Sequence, residues 1–140
     1  MAKLNNKICF VIPCYNEENN INDTILEINK VIEELSIKNY EIIVIDDGST
    51  DNTYIKVKKK KFLKKFKLKR NLGIGGAYKY GLSKSDSRYI IMIPGDNSHP
   101  ASSISPILAI MGKKDIIIPF TLKKGQRSFF RYYLSKIFTL

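Results

Sequence analysis

The chain reads as an α/β protein: a doubly wound, mostly parallel sheet with helices on both faces. Short apolar, β-branched runs alternate along it with stretches of helical periodicity. The run EIIVI at 41–45 is too uniformly apolar to have a wet face, as expected of a parallel strand covered on both sides. Polar turns follow the strand ends closely, which leaves short connections and right-handed crossovers.

Each element has its own signal. Residues 7–12 (KICFVI) form an apolar run closed by Pro13, a first buried strand. Ile21, Ile25, Ile28, Ile32 and Leu35 step by four, three, four and three, which is one face of a helix. The second strand, 41–45, ends in Asp46-Asp47-Gly48-Ser49-Thr50-Asp51. Any of the last three can cap a helix running through Tyr54, Ile55, Val57 and the lysines beyond. A third strand is expected at 66–69, a helix at 77–82 and a fourth strand at 89–93, ended by Pro94-Gly95. Ile104, Ile107, Leu108 and Met111 give a helix over 102–111, with Pro106 in or near its first turn, where proline is tolerated. A fifth strand is expected at 115–118 (DIII), stopped by Pro119. Residues 1–124 form the folded unit, and 125–140 (GQRSFFRYYLSKIFTL) a basic-aromatic tail.

Composition narrows the function. With 140 residues and 44% hydrophobic content the chain is at most one domain and is neither disordered nor of low complexity. The formal charge of +11 is local: 56–70 holds nine Lys and one Arg without an acid, leaving 14 bases against 13 acids elsewhere. Single-strand nucleic-acid binding would want stacking aromatics throughout that run, and it offers Phe62 and Phe66 alone, so no specific nucleic-acid partner is expected. The run reads as a solvated helix face and following strand, with attraction to an anionic membrane surface as its best functional use. Cys9 and Cys14 make neither a disulfide framework nor a zinc site and read as small buried hydrophobes in a reducing compartment. The N-terminal apolar run is too short for a signal peptide and no stretch reaches a membrane span, so the chain is expected in the cytoplasm.

Three polar turns follow the first, second and fourth strands and should converge on one edge of the sheet: Tyr15-Asn16-Glu17, Asp46-Asp47-Gly48-Ser49 and Gly95-Asp96-Asn97. The set suits a nucleoside diphosphate with a metal. An Asp46–Asp47 pair can accept from ribose hydroxyls or a base N–H, Tyr15 can lie against the base, and Asp96 offers a hard oxygen to magnesium or manganese. Asp46, a turn carboxylate at a strand end, is expected outside the core. The stretch Gly73-Ile74-Gly75-Gly76 fails the dinucleotide fingerprint, since Tyr78 stands at its last glycine and a third strand precedes it; close packing at a helix entry is the simpler role. His99 is the one histidine, a metal or acceptor-side candidate that an exposed turn would equally explain.

VIPCYNEE at 11–18, VIDDGSTDNT at 44–53, NLGIGGA at 71–77 and the Asp96 turn, in this order and spacing, resemble the inverting family 2 glycosyltransferases of the GT-A fold. The likeness is greatest to the dolichol- or polyprenyl-phosphate sugar transferases. The resemblance implies that Pro13, Tyr15 and Glu17 line a nucleotide-sugar pocket and that Asp46 contacts base or ribose. It also implies that Asp47, Gly48 and Ser49 complete that turn, that Asn71 and Gly73 close over the nucleotide, and that Asp96 is the last acid of an Asp-x-Asp metal motif. Pro94 stands where the first acid usually is and Ser98 where a metal-ligating Gln often is, so Asp96 and Ser98 are the metal candidates, for Mg2+ or Mn2+. Relatives extend well past the equivalent of Leu140, so the chain reads as truncated, with the catalytic base and acceptor elements beyond it. The implied activity is transfer from a UDP- or GDP-sugar to an acceptor such as a polyprenyl phosphate at the cytoplasmic face of a membrane. A catalytically inactive nucleotide-binding module and a polyanion-binding domain using 56–70 stay open beside it.

Overall fold

The computed structural model describes residues 6–58 and 60–119. In chain order it contains β1 (Ile8–Cys14), α1 (Ile21–Glu34), β2 (Tyr40–Asp46), α2 (Thr53–Lys56), β3 (Leu63–Lys67), α3 (Gly73–Leu82), β4 (Tyr89–Met92) and α4 (Ala101–Ala109). The strands form one sheet in the order β3-β2-β1-β4, and every pair is parallel.

Strand alternation divides the core in two. Ile8, Phe10, Ile12, Ile42 and Val44 face one side, where they meet Ile21, Ile25, Ile28 and Ile32 of α1 and Ile104 and Leu108 of α4. Cys9, Val11, Ile43 and Ile45 face the other, against Ala77 of α3. The helical stripe read from the sequence is thus the buried face of α1. Each isoleucine removed from water there contributes about 1.5–3 kcal/mol. Helices lie on both faces, as a doubly wound sheet requires.

Several boundaries move for physical reasons. Pro13 does not close β1, which continues through Cys14 in register with β2. The Pro13 carbonyl accepts from Gly95 N on the β4 side, beyond the last ladder pair of β4, so its missing N–H costs no ladder bond. The lysine-rich helix is not there. α2 is one turn, Val57 is extended at its end (φ −71°, ψ 106°), and β3 starts at Leu63 rather than at 66. Like charges three and four apart repel along a helix, and as an edge strand β3 uses its lysines to discourage pairing with another sheet. Asn52, not Ser49, Thr50 or Asp51, precedes α2. α3 takes in the glycines from Gly73 onward, and Pro106 lies in the second turn of α4. The strand expected at 115–118 does not form among the described residues: Asp115 is in a bend, 116–118 join no ladder, and Ile116 and Ile118 are exposed. β-branched residues favour a strand only where a ladder partner exists. The tail at 125–140 lies outside the described residues, and no helix among those described is long and apolar enough to cross a membrane.

At the amino ends of the strands, Glu41 of β2 is buried among four donors: Ser85 Oγ (2.7 Å), Ser87 Oγ (3.0 Å), Lys64 Nζ (2.9 Å) and Lys7 Nζ (3.1 Å). Burial alone would raise its carboxyl, but the hydrogen bonds from Ser85, Lys64, Lys7 and Ser87 outweigh it and hold the group at about 2. This clasp ties β1, β2, β3 and the loop before β4 together, at the end of the sheet away from the turns considered next.

Candidate active site

After β1 the chain moves outward to β2 and β3, then returns to place β4 on the other side of β1. The carboxyl ends of β1, β2 and β4 therefore bracket a topological switch point, where open α/β sheets bind ligands. A cleft of about 310 Å³ opens there, lined by Tyr15 and Glu17 after β1, Asp47 after β2, Asn71 and Gly73 after β3, and Asp96 after β4. Pro13, Cys14, Ile74, Ala77, Pro94 and Gly95 complete its walls.

Of the residues singled out from sequence, Asn16, Asp46, Gly48, Ser49 and Ser98 are not on that lining. The first four build the walls from behind. Asn16, at φ +55°, donates its backbone N–H to Ser49 Oγ (2.9 Å) and accepts Thr50 N on its side-chain oxygen (2.9 Å). Glu17 N donates to Thr53 Oγ1 (2.8 Å) and Glu18 N to Asp51 Oδ2 (3.1 Å), while Asn52 N donates back to Glu18 Oε2 (3.2 Å). The first two turns are thus laced by their own side chains. Thr50, Asp51 and Thr53 were missed as members of this lattice. The signal was available in the unbroken polar run after Gly48, which was read as helix capping.

The two aspartates differ completely. Asp46, the last residue of β2, has no exposed surface; Oδ1 accepts Ser49 N (2.7 Å), and Oδ2 has no hydrogen-bond partner, with Lys67 Nζ 3.7 Å away. It belongs to the interior, contrary to the expectation of a turn carboxylate outside the core. Asp47 lines the cleft in its place. Its backbone N–H donates to the Cys14 carbonyl (2.8 Å), and its Oδ1 accepts Leu72 N (2.8 Å) at the entry to α3. A carboxylate there already answers the positive end of that helix, which makes it a poor seat for a phosphate. Gly48, at φ +76°, turns the chain immediately after them; a Cβ there would meet the Arg70 carbonyl carbon at 2.9 Å. Gly73 is also at φ +76°, but a Cβ on it would meet nothing within 4 Å, so close packing does not explain it; left-handed backbone does.

Asp96 is exposed at the cleft mouth. Its Oδ1 accepts from Ser98 N (3.1 Å) and Ser98 Oγ (2.7 Å), and Ser98 Oγ lies 2.9 Å from His99 Nδ1. A carboxylate can only accept, so the serine proton points to Asp96 and His99 donates to the hydroxyl. Among the described residues no three His, Cys, Asp or Glu side chains are grouped to hold a metal. The donor set fits an ion carried mainly by a diphosphate and touched by one carboxylate. The basic run is partly spent inside the fold: Lys65 Nζ donates to the carbonyls of Tyr54 and Val57 (both 2.7 Å), and Lys67 Nζ to that of Ser49 (3.0 Å).

Comparison with known proteins agrees with this architecture. A sequence profile of glycosyl transferase family 2 matches residues 9–139. The dolichyl-phosphate beta-glucosyltransferase of Dictyostelium discoideum is 34% identical over 113 residues, which cover 74% of this chain and 35% of that protein. Among solved structures, residues 1–349 of TarS from S. aureus in complex with UDP-GlcNAc match with a TM-score of 0.59 at 19% identity, over 85% of this chain and 38% of that one. The mannosyltransferase PcManGT from Pyrobaculum calidifontis, in complex with GDP-Man and Mn2+, gives 0.52 at 19% identity, over 64% of this chain and 27% of that one. The chain thus spans about a third of the length of such relatives, and its fold is that of these GT-A neighbours.

Proposed function

The chain belongs to glycosyl transferase family 2, and from that premise we propose that it is the sugar-donor part of an enzyme that moves a sugar from a UDP- or GDP-sugar to a polyprenyl phosphate with inversion. One observation carries the reading: Tyr15, Asp47 and Asp96, from three separate strand ends, meet on one cleft at the switch point. In this arrangement Tyr15 lies against the base, Asp47 accepts from it, and Asp96 sits at the diphosphate end. Asp96 would hold Mg2+ or Mn2+, with Ser98 as a second oxygen, and the ion when bound would neutralise the departing diphosphate. An acceptor phosphate is itself largely ionised at neutral pH, so its oxygen can attack the anomeric carbon with little demand on a side-chain base. Residues 1–124 are the donor-binding unit, and 125–140 lead toward acceptor-side or membrane-proximal elements. Arg127, Phe129, Phe130, Arg131, Tyr132 and Tyr133 suit the cytoplasmic face of a bilayer, where the lipid phosphate is presented.

Pro94 and the single carboxylate of the Asp96 turn favour a second reading, a nucleotide-binding module without activity. Calorimetry with UDP and GDP, with and without Mn2+, separates the readings. The donor site requires metal-enhanced binding that Asp96→Ala abolishes. Binding that metal leaves unchanged supports the inactive module, and salt-sensitive binding indifferent to Asp96 would point to a polyanion surface instead.

A further inference from the structure

The basic run leaves a charged edge that the fold itself does not use up. Lys56 Nζ lies 3.8 Å from Glu18 Oε2, Lys64 Nζ 2.9 Å from Glu41 Oε2 and Lys67 Nζ 3.7 Å from Asp46 Oδ2, while Lys65 is held by two carbonyls. Lys58, Lys60, Lys61, Lys69 and Arg70 are exposed, and none of them has a side-chain hydrogen bond or ion pair among the described residues. They stand in two groups beyond the ends of β3, about 15 Å apart along its five residues, with no acid between 56 and 70. Guarding an edge strand against another sheet needs charge on the strand itself, so these five cations are surplus to that role. Apolar side chains accompany them. Leu63 N donates to the Lys60 carbonyl (3.0 Å), which puts Lys61 and Phe62 at the tip of a tight turn, and Ile42 N donates to the Phe62 carbonyl (2.7 Å), which anchors that turn to β2. Phe62 is 43% exposed there, Ile55 just before it 74%, and Leu72 beside the second group 48%.

We propose that this β3 edge is a docking surface for an anionic lipid bilayer. Unpaired lysines are drawn to a negatively charged membrane surface, and Phe62, Ile55 and Leu72 supply apolar side chains that enter the headgroup layer. A nucleic acid fits the same edge less well. Single strands need free aromatic faces along the basic track, yet Phe62 is packed on Tyr40 (ring centroids 5.0 Å apart) and Phe66 is half-buried against Tyr80 (6.0 Å). An exposed aliphatic such as Ile55 gains nothing from a phosphate backbone, whereas a bilayer gives it an apolar seat. β3 pairs with β2 alone and the cleft opens at the carboxyl ends of the strands, so a bilayer along this edge lies beside the cleft mouth and not across it. The surface is separate from 125–140 and stands whether or not the cleft takes a nucleotide sugar.

The test sediments the 140-residue chain with vesicles of phosphatidylcholine alone and of phosphatidylcholine mixed equally with phosphatidylglycerol. Binding should require the anionic lipid and be lost at about 1 M salt, where charges are screened within a few ångströms. Each lysine near such a surface is worth about fivefold in partitioning, so replacing Lys58, Lys60 and Lys61 together by Gln should weaken it about a hundredfold. Nucleoside diphosphate binding should not change in that variant, which keeps this surface and the donor site apart. The chain has no tryptophan, so Phe62→Trp provides a single reporter whose emission should shift to the blue on anionic vesicles. Leu26→Trp, on the outer face of α1, should not respond. Failure to sediment with anionic vesicles at low salt overturns the proposal. Binding that the three replacements leave unchanged, or an unmoved Phe62→Trp spectrum on vesicles that do carry the protein, assigns the contact elsewhere and overturns it too. Polyuridylate that strips the chain from vesicles at equal phosphate concentration would make the edge a nucleic-acid surface instead.

Discussion

Replacing Glu41 by Gln tests how far one buried carboxylate holds the sheet together. The group sits under Ser85, Ser87, Lys7 and Lys64, and its carboxyl is held at about 2, against 4.5 when free. At about 1.4 kcal/mol for each pH unit, that difference is worth about 3 kcal/mol at neutral pH. For a domain of this size it corresponds to a fall in Tm of about 10 °C. The sign follows from the depressed value. The stabilisation is complete above pH 4.5 and disappears as the pH falls toward 2. Thermal melts of wild type and Glu41→Gln between pH 7 and pH 2.5 should therefore show a gap that is constant down to about pH 5 and then narrows. A gap of the same size at every pH would mean that shape, not charge, is what the clasp supplies. A gap below about 1 kcal/mol would refute the calculation outright.

Two further outcomes follow from the site. Asp46→Ala should cost about 1–2 kcal/mol, because Ser49 N loses its acceptor inside the protein. The variant should also weaken UDP binding through the turn that carries Asp47; an unchanged Tm would show that Asp46 is not structural. Burial pushes the Cys9 thiol up to about 11 and raises Cys14 further still. Neither should react with iodoacetamide at pH 8 until the chain is unfolded, as mass spectrometry of native and denatured samples would reveal.

The centre of the sheet was legible because β1 and β2 are apolar on both faces, and α1 because Ile21, Ile25, Ile28 and Ile32 repeat at the helical period. What periodicity could not convey was the partner of each polar atom. Asp46 and Asp47 are neighbours at a strand end, so alternation sends them to opposite sides, and only one can reach a given cleft. Asp46 shares its side with Lys67, its register partner on β3, and Asp47 turns toward α3. Local sequence says that the two must diverge but not which faces the ligand, because that depends on where α3 packs. The lysine run misled for a related reason. Its helix-forming lysines carry one sign of charge, and repulsion together with the edge position of β3 won over propensity. At 115–118 strand propensity was real but met no ladder among the described residues.

The lacing of the first turn to the second also bears on inheritance. Asn16 with Ser49 and Thr50, Glu17 with Thr53, and Glu18 with Asp51 each span more than thirty positions. Each of these bonds joins a side chain to a backbone amide, so replacing Asn16, Ser49, Asp51 or Thr53 by an apolar residue strands an N–H that no exchange at the other end can satisfy. Descendants of this chain are then free to vary the side chains of Glu17 and Thr50, whose backbone amides serve these bonds, while Asn16, Ser49, Asp51 and Thr53 can give way only to side chains that still accept a hydrogen bond.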